Sequence, residues 1–549
     1  MMRSVSTLLP RLRRRALLEF DLLQWRAQVA ALAATTPPQP TAGTVLICEL
    51  MALYATIKVE ALLATALREK GHGIAVLLPA RNGTVERIHR AAGPTTFYYL
   101  SDLTSNEDRL SCRQQAAGIV ATTSDINALI DLEVDGYRVG RNALSSAIRR
   151  LRAGRLDNGD AYHQSLVESC LAESLLTRLA ATRLMEEVKP VFGLFNERGY
   201  TPAGEIFDAC LLHGAAGIQW FGAPQSDSLI YKRYTLATRD THPFALGQDT
   251  WNELKASDFP PAEEERTMQL LARNYAQGAW FNRQQLQEGK TVFDVAETRR
   301  RLGVAEGRKV AVIFAHILYD ATFFYGTSLF PDYEAWLIET VRCAVANPAM
   351  DWIVKVHPVN VWRSRMDGTP MEQLESLAID RAIGKLPPHV RLMRADTDIN
   401  TYSLFGAVDY GLTVRGTIGM ELPCFGIPTV TAGTGRYSGA GFTVDPATAD
   451  EYRALLARLQ DVPKLDQHAM RLARRYLWGT FFRRPIPMQS FVLDFNADRL
   501  GLPDLRVDTT VAPTVQSSGR FLDDLIRISG WLAGETTSDL LRAEDQHAR

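Results

Sequence analysis

WIVKVHPVNVW, residues 352–362, joins a buried-strand pattern directly to a His-Pro pair. In residues 352–356, Trp, Ile and two Val surround a single lysine, Lys355, as in a strand covered on both faces. Pro358 fixes its own φ and biases His357 toward extended geometry, so the imidazole is held at the carboxyl edge of the strand. Strand alternation puts Lys355 on the same side as His357. Either the pair is a turn whose histidine bonds a backbone carbonyl, or it is a ligand site at the edge of a sheet.

The segments around it repeat the same plan. VAVIFA (310–315) reads as a strand, DYEAWLIETVRCAVAN (332–347) as a helix, and DWIVKV (351–356) as the next strand. A helix near 371–384 precedes the strand VRLMRA (390–395), and the helix INTYSLFGA (399–407) precedes the strand YGLTV (410–414). Helix IGMELPCFG (418–426) and strand IPTVTA (427–432) close the series. This alternation predicts a doubly wound domain over about 306–480. In the first half, TVLICE (44–49), a helix and IAVLLP (74–79) form one β-α-β unit, and PVFGLF (190–195), EIFDACLLHGAA and GIQWFG (217–222) form another. The fold class is therefore α/β, with two Rossmann-like domains facing a cleft. The expected organisation is a basic N-terminal arm and linker (1–40), a first Rossmann-like domain (41–240), a connection with helices (241–305), the second Rossmann-like domain (306–480) and a partly helical tail (481–549).

A chain of 549 residues is too long for one hydrophobic core, which agrees with two large domains. A net charge of −1 argues against a general nucleic-acid binder. Cysteines 48, 112, 170, 210, 343 and 424 are scattered without CxxC spacing, which indicates neither a zinc site nor a disulfide framework and fits a reducing cytoplasm. There is no run of about 18 apolar residues to cross a membrane. The start, MMRSVSTLLPRLRRRALLEFDLLQW, lacks an uninterrupted apolar core and a cleavage site, so no signal peptide is expected. It reads as an amphipathic helix near 11–30 that either packs on the domain or docks on an anionic membrane.

In open α/β sheets ligands sit outside the carboxyl ends of the strands. There the sequence places His316 and Asp320, His357-Pro358, Asp396-Thr397-Asp398, Arg415-Gly416-Thr417, and Gly433, Gly435 and Tyr437. Gly416 allows close backbone approach, Thr417 can cap a helix or bond a ligand oxygen, and the free N–H groups of the helix that follows suit an anion. Glu421, one turn in, either accepts from ribose hydroxyls or is solvated. Asp396-Thr397-Asp398 is read as helix capping rather than a metal motif, and no metal site is expected. GTGRYSGAGF (433–442) is a lid over the cleft or a bare loop. In the first domain Glu197 follows the strand 190–195 and is the candidate base, against a salt bridge with Arg198 or another cation. Asp135 is the second candidate.

KVHP (355–358), TDINTYSLF (397–405) and VRGTIGMELPCFGIPTVTAGTGRYSGAGFT (414–443) resemble the bacterial capsule polysaccharide biosynthesis family. These are glycosyltransferase-B (GT-B) proteins that include the Kdo transferases and are more distantly similar to bacterial polysialyltransferases. The resemblance covers about 310–445, with DGYRVGR (135–141) and NERGYTPAG (196–204) similar to the family's N-terminal half. It implies that His357 and Thr417 contact the donor phosphate. Lys355, Pro358, His316, Asp320, Arg415, Gly416 and Glu421 complete the expected donor site. Polysialyltransferases carry serines where this chain reads Arg415-Gly416-Thr417, which speaks against a sialic-acid donor. The resemblance implies a metal-independent glycosyltransferase that moves a sugar from a nucleotide-sugar donor, CMP-Kdo-like, to a glycan or glycolipid acceptor of a surface polysaccharide. No cofactor and no nucleic-acid partner are expected. The implied place is the cytoplasm or the inner face of the plasma membrane. The alternatives are a nucleotide-sugar 2-epimerase, a CDP-alditol phosphotransferase, and a degenerate transferase serving as a scaffold.

Overall fold

Val45, Leu46 and Ile47 have no solvent exposure, so strand β1 (Thr44–Cys48) is covered on both faces, as a central parallel strand must be. It organises the first domain of the computed structural model, which describes residues 2–30, 32, 40–50, 54–225, 228–281, 284, 286–367, 373–494, 508–511 and 522–542. Helix α1 (Met2–Ala30) precedes it. Then come α2 (Tyr54–Glu69), β2 (Gly73–Leu78), α3 (Gly83–Ala91), β3 (Thr96–Tyr99) and the helices α4 (Asn106–Thr122), α5 (Val139–Leu151) and α6 (Ala161–Val188). Strand β4 (Phe192–Phe195), α7 (Ala203–Leu212), β5 (Ala216–Gly222) and β6 (Ser228–Tyr234) complete this part. Side chains of β1 alternate between two cores: Val45 and Ile47 pack with α1 to α3, and Leu46 and Cys48 pack with α4 to α7.

Helices α8 (Gln248–Ala256), α9 (Pro261–Ala276) and α10 (Val295–Arg301) lie in the segment expected as a connection. They do more than connect. Trp251, Leu271, Tyr275 and Trp280 share one core with Val310, Ile353 and Leu422, so this segment covers a face of the second sheet. That domain runs β7 (Val310–Phe314), α11 (Tyr333–Ala346), β8 (Asp351–Lys355), α12 (Val359–Asp367), α13 (Leu374–Ala382), β9 (Val390–Met393), α14 (Leu404–Ala407), β10 (Tyr410–Thr413), α15 (Ile418–Glu421), β11 (Thr429–Thr431), α16 (Ala449–Leu456) and α17 (Gln467–Trp478). Helix α12 starts directly after Pro358.

The second sheet is wholly parallel with order β11-β10-β7-β8-β9. The first has order β12-β6-β5-β4-β1-β2-β3, with β12 (Ile486–Pro487) and β6 antiparallel at one edge. In each sheet the winding reverses once: between β1 and β4, and between β7 and β10. Those reversals open the crevices where ligands bind in such sheets.

After α17 the chain returns to the first domain. Strand β12 adds to its edge, β13 (Phe491–Asp494) pairs with β14 (Asp508–Val511), and α18 (Asp523–Gly534) buries Leu525, Ile528 and Trp531 in the core of β1 and α2. A buried ion cluster fixes this return. Asp539 accepts from Lys232 Nζ on β6 at 2.9 Å and pairs with Arg484 at 3.0 Å, and the Gly247 N–H donates to its other oxygen at 2.6 Å. Arg484 also donates to the carbonyls of Pro243 and Ala245, at the start of the interdomain segment. Burial opposes the charge on Asp539, but Arg484 and Lys232 hold its carboxyl below the usual range. Asp539→Ala leaves two buried cations without their partner and is expected to cost about 3–5 kcal/mol in urea unfolding. A loss near that of an exposed pair, below about 1 kcal/mol, would show that the cluster does not hold the tail.

Candidate functional site

Each strand that ends at the crevice of the second domain delivers one group to it. His316 follows β7. Its Nε2 accepts from the Val414 N–H at 3.1 Å and lies 3.1 Å from the Thr413 hydroxyl, and its ring stacks on Tyr333 at 4.4 Å. The acceptor role of Nε2 puts the proton on Nδ1, which has no partner among the described residues. Burial, then the charge of Arg415, pushes the imidazolium well below its ordinary range, so His316 is neutral.

His357 is built the same way with the nitrogens exchanged. Its Nδ1 accepts from the Val359 N–H at 3.2 Å, at the first turn of α12, so Nε2 carries the proton and faces no acceptor among the described residues. Burial, then Lys355 and Arg363, pushes it down to about 3. The His-Pro pair is thus a turn through one ring nitrogen and leaves the other free; the turn bond is accepted from an N–H rather than donated to a carbonyl. Lys355, two residues earlier, is 5% exposed, and its ammonium has neither hydrogen bond nor ion pair among the described residues. The Phe314 ring lies 5.9 Å away. Burial, then repulsion by Lys290, brings Lys355 down to about 7. A buried amine in this state either takes an anion or gives up its proton.

Other residues expected as donor ligands are committed elsewhere. The Arg415 guanidinium donates to the carbonyls of Phe324 and Thr327 and to the Ser328 hydroxyl, and so clamps the loop after β7. Asp320 accepts from Tyr200 Oη at 2.9 Å and pairs with Arg363 at 2.6 Å, joining the two domains. Glu421 is neither solvated nor open: Tyr275 Oη donates to one oxygen at 3.0 Å and Trp280 Nε1 to the other at 3.1 Å, while burial pushes it up to about 7. Helix α15 is only four residues long before it tightens to a 3-10 turn, so its dipole is small. Gly416 and Thr417 do stand at the crevice. The Gly416 N–H donates to Thr413 Oγ1 at 3.1 Å, and a Cβ on Gly416 would sit 2.9 Å from that same oxygen. Pro358 and Thr417 are half-buried.

One residue went unremarked in the sequence. Arg436, within the glycine-rich loop, donates from Nε to the Arg415 carbonyl at 2.7 Å and lies over the Phe244 ring at 4.8 Å. Its Nη1 is buried without a hydrogen-bond partner, and burial pulls its guanidinium down to about 10. Its charge reaches His316, His357 and Glu421. The loop is therefore no bare loop: Tyr437 is buried and donates to the Gly416 carbonyl at 2.9 Å. Nothing in a G-T-G-R string announces this, because the packing is with β10 and the interdomain segment. Asp396 and Asp398 are ion-paired with Arg394 and Arg301, and Asn400 caps the turn that follows.

Across the cleft, Glu197 follows β4. One oxygen accepts the N–H groups of Arg198 at 2.7 Å and Gly199 at 3.0 Å, and the other has no partner among the described residues. The expected alternative, a salt bridge with Arg198, is absent: that guanidinium donates to Gln219 and to the carbonyls of Arg239 and Thr241. Burial raises the Glu197 carboxyl, against the two N–H groups and nearby Arg149. Asp135 does not join it. It sits in a turn at φ 52° with an exposed side chain paired to Arg178. Glu49, at the end of β1, turns inward to His89 at 3.0 Å.

No protein-family model matches the chain, and no curated protein matches it. Solved structures do. KpsC of Thermosulfurimonas dismutans, a beta Kdo 2,4 transferase, is 15% identical over 58% of this chain and 84% of its own, with a TM-score of 0.33. The UDP-GlcNAc 2-epimerase of Neisseria meningitidis, bound to UDP-GlcNAc, is 11% identical over 80% and 97%, with a TM-score of 0.27. Anabaena HepE in complex with UDP and glucose gives 11%, 80%, 95% and 0.27. A Kdo transferase, of the kind the sequence resembles, and a 2-epimerase are thus both among the structural matches.

Two concavities, of about 640 Å3 beside Lys189 and His213 and about 460 Å3 beside Arg273 and Trp478, lie away from these strand ends. The side chains, not hollow volume, mark the site. Two N–H donors, a buried amine and a buried guanidinium without full partners suit a polyanion. A merely structural Lys355 would lose stability on mutation. Lys355→Met is expected instead to raise thermal stability at neutral pH, since an unpaired buried charge goes, and to weaken nucleotide binding. Wild-type affinity should fall as pH rises through about 7, where the free amine loses its proton, and the variant should lose that part of the slope in calorimetry from acid to alkaline pH.

Proposed function

We propose that the chain is a glycosyltransferase that moves a sugar from a nucleotide-sugar donor, held by the second domain, to a hydroxyl of a glycan or glycolipid held by the first. The observation that carries this is the pair of neutral imidazoles, His316 and His357, each fixed by a backbone N–H and each with its other N–H free, beside Lys355 and Arg436. Such donors aimed at a phosphate stabilise the negative charge that develops on a departing nucleotide. The protein's own cations take that charge, so a metal-independent reaction is proposed. Glu197 accepts the proton of the attacking hydroxyl as its oxygen bonds to the anomeric carbon and the bond from that carbon to the phosphate oxygen breaks. This displacement inverts the anomeric centre. A CMP-linked, Kdo-like donor is favoured through the sequence resemblance, and the product is assigned to a surface polysaccharide. The proposed setting is the cytoplasmic face of a membrane, on the ground of the arginine-rich helix α1.

Calorimetric titration with CMP, UDP, CDP and GDP tests the donor site. One nucleotide should bind selectively, and His357→Ala should weaken it by about 10–100-fold, the worth of a hydrogen bond to a charged group. Absence of binding by all four nucleotides would sink the reading in favour of a scaffold. Release of free sugar and nucleotide from a nucleotide sugar without acceptor would favour an epimerase, and phosphate retained in the product a phosphotransferase.

Glu197→Gln should keep nucleotide affinity while turnover falls by about 10²–10⁴-fold. Normal turnover would remove Glu197 from the base role.

A further inference from the structure

Helix α1 has two apolar faces, and the domain uses one. Leu22, Trp25 and Val29 are buried in the core of β1, and Trp25 Nε1 donates to the Ile88 carbonyl at 3.0 Å. On the other side Leu12, Phe20 and Leu23 are 59%, 57% and 63% exposed, in line with the exposed Ala16 and Ala27. The spacing 12, 16, 20, 23, 27 keeps all five on one stripe, about 22 Å long at the helical rise.

Charge decides what covers the stripe. Residues 1–30 hold six arginines, no lysine and two acidic residues. The domain takes both acids: Arg87 forks onto Glu19 at 2.7 Å, and Lys58 holds Asp21 at 2.7 Å. The exposed flanks of the stripe are then cationic, with Arg13, Arg15 and Arg26. A second copy docking stripe to stripe would bring these arginines against their own equivalents with no free acid between them. An anionic bilayer offers both an apolar layer for the stripe and negative charge for the flanks.

We propose that α1 is a membrane-surface helix. It lies in the plane of an anionic bilayer with Leu12, Phe20 and Leu23 inserted and the arginines at headgroup level, while its opposite face stays packed on the first domain. This surface is independent of the nucleotide site, so it stands or falls apart from the transferase reading.

The test is co-sedimentation of the full chain with phosphatidylcholine vesicles, with and without phosphatidylglycerol. Wild type should bind only the anionic vesicles, and less as salt rises. The double variant Phe20→Glu with Leu23→Glu should bind about tenfold or more weakly while its melting and nucleotide titration stay as wild type, because both positions are exposed. Arg13→Glu with Arg15→Glu should lose the preference for anionic lipid. Wild type that stays in the supernatant when anionic vesicles are pelleted overturns the proposal, as does a Phe20/Leu23 variant that binds as well as wild type. A dimer that Leu23→Glu dissociates, without vesicle binding, would assign the stripe to a second copy and overturn it as well.

Discussion

The Tyr200 hydroxyl holds the two halves of the molecule in register. It donates to Asp320 at 2.9 Å and accepts from the Ala321 N–H at 2.9 Å, so one oxygen of the first domain fixes two points on the loop after β7. Arg363 braces the same Asp320 from α12, and Arg149 lies over the Tyr200 ring at 4.3 Å. Around this joint the loop enters the first domain: Tyr319 and Phe323 pack on its core, and Phe324 meets Tyr200 edge-on. Gly199 leaves room for this contact, since a Cβ there would lie 2.9 Å from the Phe324 ring and would displace it. The loop that starts with His316 is therefore tied at one end to the segment that carries Glu197 and at the other, through Arg415, to the end of β10.

That joint explains which parts of the molecule could be read from the chain. Central parallel strands are buried on both faces and appear as unbroken apolar runs, so β1, β7 and β8 were legible to within a residue. The antiparallel strands β6 and β12 were not. In SLIYKRY the apolar run Leu229–Tyr231 is cut short by Lys232, which is buried against Asp539, a partner 307 residues away. A short Ile-Pro strand has no period to read. The helical segment 241–305 read as a connection because its apolar residues are spaced for a core that belongs to the second sheet.

The site was legible by place and not by partner. Position after a strand end marked His316, His357, Gly416, Thr417 and Glu197, and strand alternation added Lys355, because topology alone brings those points to the crevice. The same rule also marked Asp320, Arg415 and Glu421, which are engaged by Arg363 with Tyr200, by Phe324 with Ser328, and by Tyr275 with Trp280. Those partners lie on other elements, between 43 and 146 residues distant, and no local pattern reports them. Arg436 shows the converse. It became a site residue only through the folding of a glycine-rich loop onto β10.

The pairing of neutral and charged donors has its own logic. Two imidazolium ions beside Lys355, Arg415, Arg436 and Arg363 would add like charges to a buried cationic patch; burial first, and that repulsion after it, drives both histidines to the neutral form. Neutral imidazoles still donate one hydrogen bond each, and they do so without raising the field further. The two classes of donor then divide the work. The histidines, each locked by a backbone N–H at the start of a turn, fix where an oxygen can sit. Lys355 and Arg436, short of partners, supply the attraction that an arriving anion completes. A site built only of cations would hold any anion and would stay costly when empty. A site built only of neutral donors would place a phosphate but do little for the charge it gains as the leaving group departs.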